Sequence, residues 1–204
     1  MQKLAYLFAI GALLGLTLFG YTAQAQQTRT VADFSLLDGN GKPVKLSDLK
    51  DSSLVLVIFT SSHCAWATKY EERIVSLHQT YAPKGVAFLA INANDPRMSQ
   101  RDAVARMRQV TPYPFPYLKD KEQTVAKNFE VTRNPEVVLL KYVNGAFHVL
   151  YKGKIDDNPL DAGLVRNTFL VDAMDAALAN KKIEESVTEA SGCHIRWKPT
   201  EKPE

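Results

Sequence analysis

The sequence has only two cysteines, Cys64 and Cys193, among its 204 residues. That scarcity excludes a disulfide-dense scaffold, and a 46% hydrophobic composition lets one ordinary domain bury a core without covalent staples. There is little charge of one sign: 25 basic residues against 22 acidic ones give a formal net charge of +3. The two signs are mixed throughout, which gives no reason to expect nucleic acid or an anionic surface as partner. There is no internal repeat and no low-complexity linker, so a solenoid or a string of modules is not expected.

The one long hydrophobic run is at the start. Lys3, an apolar stretch from Leu4 to Phe19 and then Ala23-Gln24-Ala25 read as a secretory signal over residues 1–25, cleaved before Gln26. The run is shorter than the roughly 20 residues that a spanning helix needs, and no cysteine follows it to carry a lipid. Cleavage removes Lys3 and no acid, which takes the formal charge from +3 to +2. The expected product is a periplasmic or secreted chain with no membrane span: one domain over residues 26–197 and a polar, frayed tail over 198–204. Export also places the two thiols where disulfides persist.

Within the domain the pattern alternates between strands and helices. Phe34 to Leu37, the turn Asp38-Gly39-Asn40-Gly41 and Pro43 to Leu46 read as a hairpin. Leu54 to Phe59 is a continuous apolar, β-branched run of the kind that fills the centre of a parallel sheet. A helix follows from His63 to Tyr81, and Val86 to Ile91 is a second buried strand, so the three make a βαβ crossover. Further on, the spacing predicts a helix over 99–110 with Val104 and Met107 inward, an extended proline segment over 112–116 and a helix near 122–129. A hairpin around Asn144-Gly145 comes next, and then a helix over 163–179 with Val165, Phe169, Ala173 and Leu178 inward. The fold class is α/β, a central mixed sheet flanked by helices.

Cys64 stands where the strongest strand hands over to a helix. Free backbone N–H groups and the helix dipole there favour an anion, which is the setting of a reactive thiolate, and the hydroxyls of Ser61 and Ser62 are placed to donate to it. The alternative is a buried cysteine packed as a small apolar residue.

At these residues the chain resembles the thioredoxin-like redoxins, in their peroxiredoxin-like (AhpC/TSA-type) branch. The likeness begins with F-S-L-L-D-G-N-G-K-P-V-K-L-S-D-L and V-L-V-I-F-T-S-S-H-C. It continues through V-A-F-L-A-I-N-A-N-D, F-P-Y-L-K-D, N-P-E-V-V-L-L and Y-K-G-K-I-D-D-N to G-C-H-I-R-W, roughly the whole mature chain. The resemblance implies a thioredoxin-like fold and thiol chemistry on a protein thiol or disulfide, or on a peroxide. That branch typically carries Cys-x-x-Cys, where this chain has Ser61-Ser62-His63-Cys64, so exchange within the motif is impossible. Cys64 occupies the position that aligns with the peroxidatic cysteine, and Ser61 falls where peroxiredoxins carry Thr or Ser. Val57 replaces the proline of the peroxiredoxin motif.

The resemblance further implies that the Asn134-Pro135 bond is cis and that the backbone beside it pairs with an extended substrate. Arg133, close by in sequence, is placed either to stabilise a thiolate or bind an anion, or to stand as a solvated surface charge, and Trp66 either lines the site or packs in the core. Cys193 leaves three possibilities open: a permanent bond to Cys64, a resolving thiol on a movable tail, or two separate free thiols. His63, Cys64, Cys193 and His194 together would make a soft-metal cluster, but the ligand pattern of copper-binding relatives includes a Cys-x-x-x-Cys that is missing here. No motif calls for a cofactor, and Asp156-Asp157-Asn158 reads as a turn, too small for a calcium shell. Three functions remain: a thiol-dependent oxidoreductase, a thioredoxin-fold binding module stapled by Cys64–Cys193, or a copper carrier. The placement of the thiol favours the first.

Overall fold

The protein is described by a computed structural model over residues 29–110 and 113–199. The expected leader and residues 200–204 lie outside these described residues. Among the described residues no helix is long and apolar enough to cross a membrane.

The centre is β4 (Leu54–Phe59), in which all six residues are buried. It pairs in parallel with β5 (Val86–Asn92) and antiparallel with β8 (Glu136–Val143). The short strand β6 (Tyr117–Lys119) adds in parallel to β5. The hairpin β2 (Ser35–Asp38) and β3 (Pro43–Lys45) closes that side. On the other side β9 (Ala146–Gly153) and β1 (Thr30–Val31) follow β8, for a sheet order β1-β9-β8-β4-β5-β6-β2-β3. The β8–β9 turn has positive φ at both Asn144 and Gly145, the backbone of a type I′ turn and the reason an Asn-Gly pair stands there.

Side chains along β4 alternate between two cores, as a two-residue period requires. Val55, Val57 and Phe59 pack with Leu89, Ile91 and Phe129 on the face that carries α3 (Thr124–Asn128). Leu54, Leu56 and Ile58 pack with Tyr70, Ile74 and Met174 beneath α1 (Ala65–Tyr81) and α4 (Phe169–Leu178).

Two helices are shorter than their sequence pattern. The segment expected as a helix over 99–110 is a 3-10 turn at Gln100–Asp102, an extended Ala103 and then α2 (Val104–Val110). Met107 is buried as expected, but Val104 is 39% exposed. The helix expected over 163–179 begins only at Phe169, after a 3-10 turn at Ala162–Leu164. In the gap the Asp157 carboxylate accepts hydrogen bonds from the backbone N–H groups of Arg166 and Asn167, holding them off the helix. The inward face is set by Leu170, Ala173, Met174 and Ala177. Val165 stands outside the helix altogether.

The C-terminal segment is anchored to the domain as far as Lys198. After α4 the chain crosses β9, where Thr188 N–H donates to Lys152 O and Lys152 N–H to Ser186 O. It then runs as β10 (Cys193–His194) against β7 (Arg133–Asn134), a separate two-stranded ribbon. Beyond it Ile195 is buried, and Lys198 is held through its backbone N–H by Gln123 Oε1 and through its ammonium by Glu122.

Candidate active site

Cys64 is the N-cap residue of α1, with extended backbone angles, because β4 ends at Phe59 and the chain must turn before the helix can start. Its carbonyl accepts the first intrahelical bond, from Thr68 N–H at 3.0 Å. The first N–H groups of α1, next in the chain after Cys64, have no helical partners, and the Cys64 side chain makes no capping hydrogen bond to them. The side chain is 2% exposed and is joined in a disulfide to Cys193, with 5.8 Å between the Cα atoms. The bonded pair sets aside two separate free thiols and is compatible with both a permanent staple and a resolving thiol.

β10 places Cys193 directly opposite Asn134 and His194 opposite Arg133. The Asn134-Pro135 peptide is cis. The Asn134 carbonyl oxygen lies 3.0 Å from Cys64 Sγ. A disulfide sulfur carries no proton, so this contact becomes a hydrogen bond only when the thiol forms. Gly192 is required just before Cys193: a Cβ there would lie 2.2 Å from Asn134 O, and its φ is +146°. The backbone edge beside Pro135, expected to be open to an extended substrate, is therefore already filled by the protein's own strand.

Behind the disulfide lies a buried polar network that the sequence reading did not find. Ser61 Oγ donates to Asp102 Oδ1 at 3.0 Å and accepts from Asn94 Nδ2 at 2.8 Å. Its proton is thus spent on Asp102, which corrects the expectation that Ser61 donates to the thiol of Cys64. Asp102 is 0% exposed and also accepts from Asn92 Nδ2 and Asn94 Nδ2. Asn94 uses all of its amide: beside those two donations, its Oδ1 accepts from Asn134 Nδ2 at 3.2 Å and from Arg196 N–H at 2.9 Å. One side chain thereby fixes the loop that carries Cys64, the residue before Pro135 and the strand that carries Cys193. Gln123 adds a second tie, donating to Ala93 O and Arg196 O.

A readable signal for this network existed. Ser61, Asn92, Asn94 and Lys119 all lie at, or within two residues of, the carboxyl end of a strand in the parallel part of the sheet, the edge where α/β folds place their sites.

Lys119 is 6% exposed and donates to Asn92 Oδ1 and Asn94 O. Burial pulls its pKa down to about 8 against the opposing pull of Asp102, Asp120 and Asp95. In the unfolded chain the group titrates near its ordinary 10.5. Between these values the unfolded state binds the extra proton, so stability rises with pH by on the order of 3 kcal/mol. Above about 10 the trend reverses, because burial raises the pKa of Tyr70, Tyr81, Tyr113, Tyr117 and Tyr151 above the ordinary 10. The unfolded state loses those protons first. Urea titrations are expected to show stability increasing from pH 8 to a maximum near 10, with the rising limb absent in Lys119→Met. A steady fall from pH 8 onward would contradict this assignment.

The remaining expected site residues stand around the rim. Arg133 Nη1 donates to Gly192 O at 3.2 Å, so it braces the backbone of the strand and does not touch sulfur. Arg196 contacts His63 Nε2 at 2.7 Å and donates to Met98 O. Trp66 is 40% exposed in the first turn of α1. The soft-metal cluster is not assembled, because both sulfurs are consumed in one bond. Among the described residues no three His, Cys, Asp or Glu side chains are grouped to hold a metal ion.

Comparison with known proteins follows the same lines. The AhpC/TSA family model matches residues 28–175, ending before the strand that carries Cys193. The thiol-disulfide oxidoreductase ResA of Halalkalibacterium halodurans is 25% identical over 143 residues, covering 68% of this chain and 78% of that protein. The crystal structure of an uncharacterized conserved protein from Geobacillus kaustophilus superimposes with a TM-score of 0.78 at 31% identity, covering 85% of this chain and 93% of that one. A structure described as a thiol:disulfide interchange protein, DsbE, from Chlorobium tepidum gives a TM-score of 0.57 at 26% identity, over 74% of this chain and 96% of that one.

Proposed function

This chain belongs to the AhpC/TSA family of thioredoxin-like redoxins, and from that we propose that it is an exported thiol–disulfide oxidoreductase acting through the Cys64–Cys193 pair. The observation that carries the proposal is the disulfide itself, set between a helix N-terminus and a strand beside a cis proline. The likeness to ResA and DsbE, both thiol–disulfide proteins by name, supports protein thiols as partners. Export rests on the leader read in residues 1–25.

The two sulfurs are not equivalent. Cys64 is buried under the strand, whereas Cys193 is half-buried on it. An incoming thiolate reaches Cys193 first. It forms a bond to Cys193 Sγ as the Cys193–Cys64 bond breaks, and the electron pair leaves on Cys64 Sγ. The free N–H groups of α1 stabilise that leaving thiolate, and once protonated it donates to Asn134 O. A second substrate thiolate then attacks the substrate sulfur held on Cys193. The sum is one substrate disulfide formed and two protein thiols, the two protons of the substrate thiols ending on Cys64 Sγ and Cys193 Sγ. Run backwards, the same steps reduce a substrate disulfide, with Cys193 facing the substrate and Cys64 resolving.

The stitched strand and the burial of Cys64 favour a second reading, a binding module with a permanent staple. Dithiothreitol on the folded oxidised protein separates the two, with alkylation and mass measurement as the readout. Reduction within minutes near neutral pH, without denaturant, is the result expected of an oxidoreductase. A disulfide that opens only when the protein unfolds would leave the binding module.

A further inference from the structure

Two guanidinium groups bracket the disulfide, one beside each cysteine. Arg133 holds the carbonyl of Gly192, the residue before Cys193. Arg196 contacts the imidazole of His63, the residue before Cys64. Neither arginine has a carboxylate within ion-pairing distance among the described residues. Several acids nearby are committed elsewhere, while Glu189, exposed at the start of the segment that carries Cys193, takes part in none of their pairs. Asp95 pairs with Arg97, Glu122 with Lys198, and buried Glu136 with Lys152 and the N–H groups of Thr132 and Arg133. Asp102 is wholly enclosed. The rim of the disulfide therefore carries two guanidinium groups outside any ion pair, both half-buried and held by hydrogen bonds.

Backbone pairing cannot select the partner here, because the edge beside Pro135 is occupied by β10. What a thiol approaching Cys193 meets first is this charge. We infer that the site recognises an acidic, cysteine-bearing segment of a partner protein, with Arg133 and Arg196 as its two carboxylate contacts. The inference rests on the oxidoreductase reading above and adds the chemistry of the substrate to it. Fixed guanidinium forks suit carboxylates, and a field of one sign around a reactive centre raises the encounter rate of the opposite sign by tenfold or more.

The test offers the full-length oxidised protein two short peptides, one with glutamates on both sides of a central cysteine and one with lysines. Each rate of exchange is divided by that peptide's rate with a small neutral disulfide, which removes the effect of flanking charge on the peptide's own thiol. The acidic peptide is expected to be favoured by about tenfold at low ionic strength. The preference should shrink as salt shortens the screening length to about 10 Å or less, and fall to near unity in Arg133→Gln/Arg196→Gln. If that pair compromises folding, Arg196→Glu alone should lower or reverse the preference. A ratio near one in the native protein, or a preference that survives loss of both arginines, would overturn the inference. A protein whose disulfide ignores dithiothreitol as well would instead sink the oxidoreductase reading on which it depends.

Discussion

Cys64→Ser is expected to accumulate a stable adduct on Cys193 when the protein is mixed with a peptide disulfide. Cys193→Ser should form its adduct on Cys64 about a hundredfold more slowly. The asymmetry follows from burial. In the first variant the half-buried thiol of Cys193 attacks the peptide disulfide and keeps the peptide half, since the group that would expel it is gone. In the second, Cys64 is covered by the strand, and reaction waits for a local opening; an opening that costs about 2.7 kcal/mol gives a factor of a hundred. Native protein should show no lasting adduct, because the second sulfur resolves it. Mass spectrometry of the quenched mixtures reads all three. Rapid modification of Cys64 with an inert Cys193 would reverse the roles and require the strand to leave before chemistry. Two inert thiols would point to the binding module.

Loss of the disulfide is expected to lower the stability of the fold by about 4–5 kcal/mol, the loop-entropy effect of a cross-link spanning this much chain. The two cysteines are 129 positions apart, so the bond forbids most of the open conformations of the unfolded domain. Total stabilities are about 5–15 kcal/mol, which makes the reduced form marginal by comparison. Urea unfolding of the oxidised protein against Cys64→Ala/Cys193→Ala measures the difference. A change below about 1 kcal/mol would mean that the unfolded chain is already held compact or that the bond distorts the native state.

What the sequence revealed were the features written in short periods. Six consecutive apolar residues marked β4, the steps of four, three and four between Tyr70, Ile74, Leu77 and Tyr81 marked α1, and Asn144-Gly145 marked its hairpin. The redoxin resemblance added the cis peptide before Pro135. The pairing of Cys64 with Cys193 was open, because a separation of 129 residues carries no geometric information; only the course of the C-terminal strand decides it. The broken helix over 99–110 has a tertiary cause. Asp102 turns inward to Ser61, Asn92 and Asn94, and an uninterrupted helix would not leave Ala103 extended as it is. Local propensity is overridden by the demand of a buried carboxylate for partners. The late start of α4 has the same character, with the Asp157 side chain competing for backbone N–H groups that a helix would have used.

Cys193 sits on an arch fastened at both ends. Thr188 is hydrogen-bonded to β9 on one side, and Ile195 is buried and bonded to Thr132 O on the other. Only the six residues 189–194 lie between. When the disulfide opens, the released thiol can swing outward by no more than this short bow permits. Its local concentration over Cys64 then stays at least in the millimolar range that short tethers give. Ring closure therefore outruns most bimolecular encounters, and any partner held on Cys193 has a brief residence. On the oxidoreductase reading proposed above, a protein built this way would trade long-lived capture of its clients for rapid turnover among many.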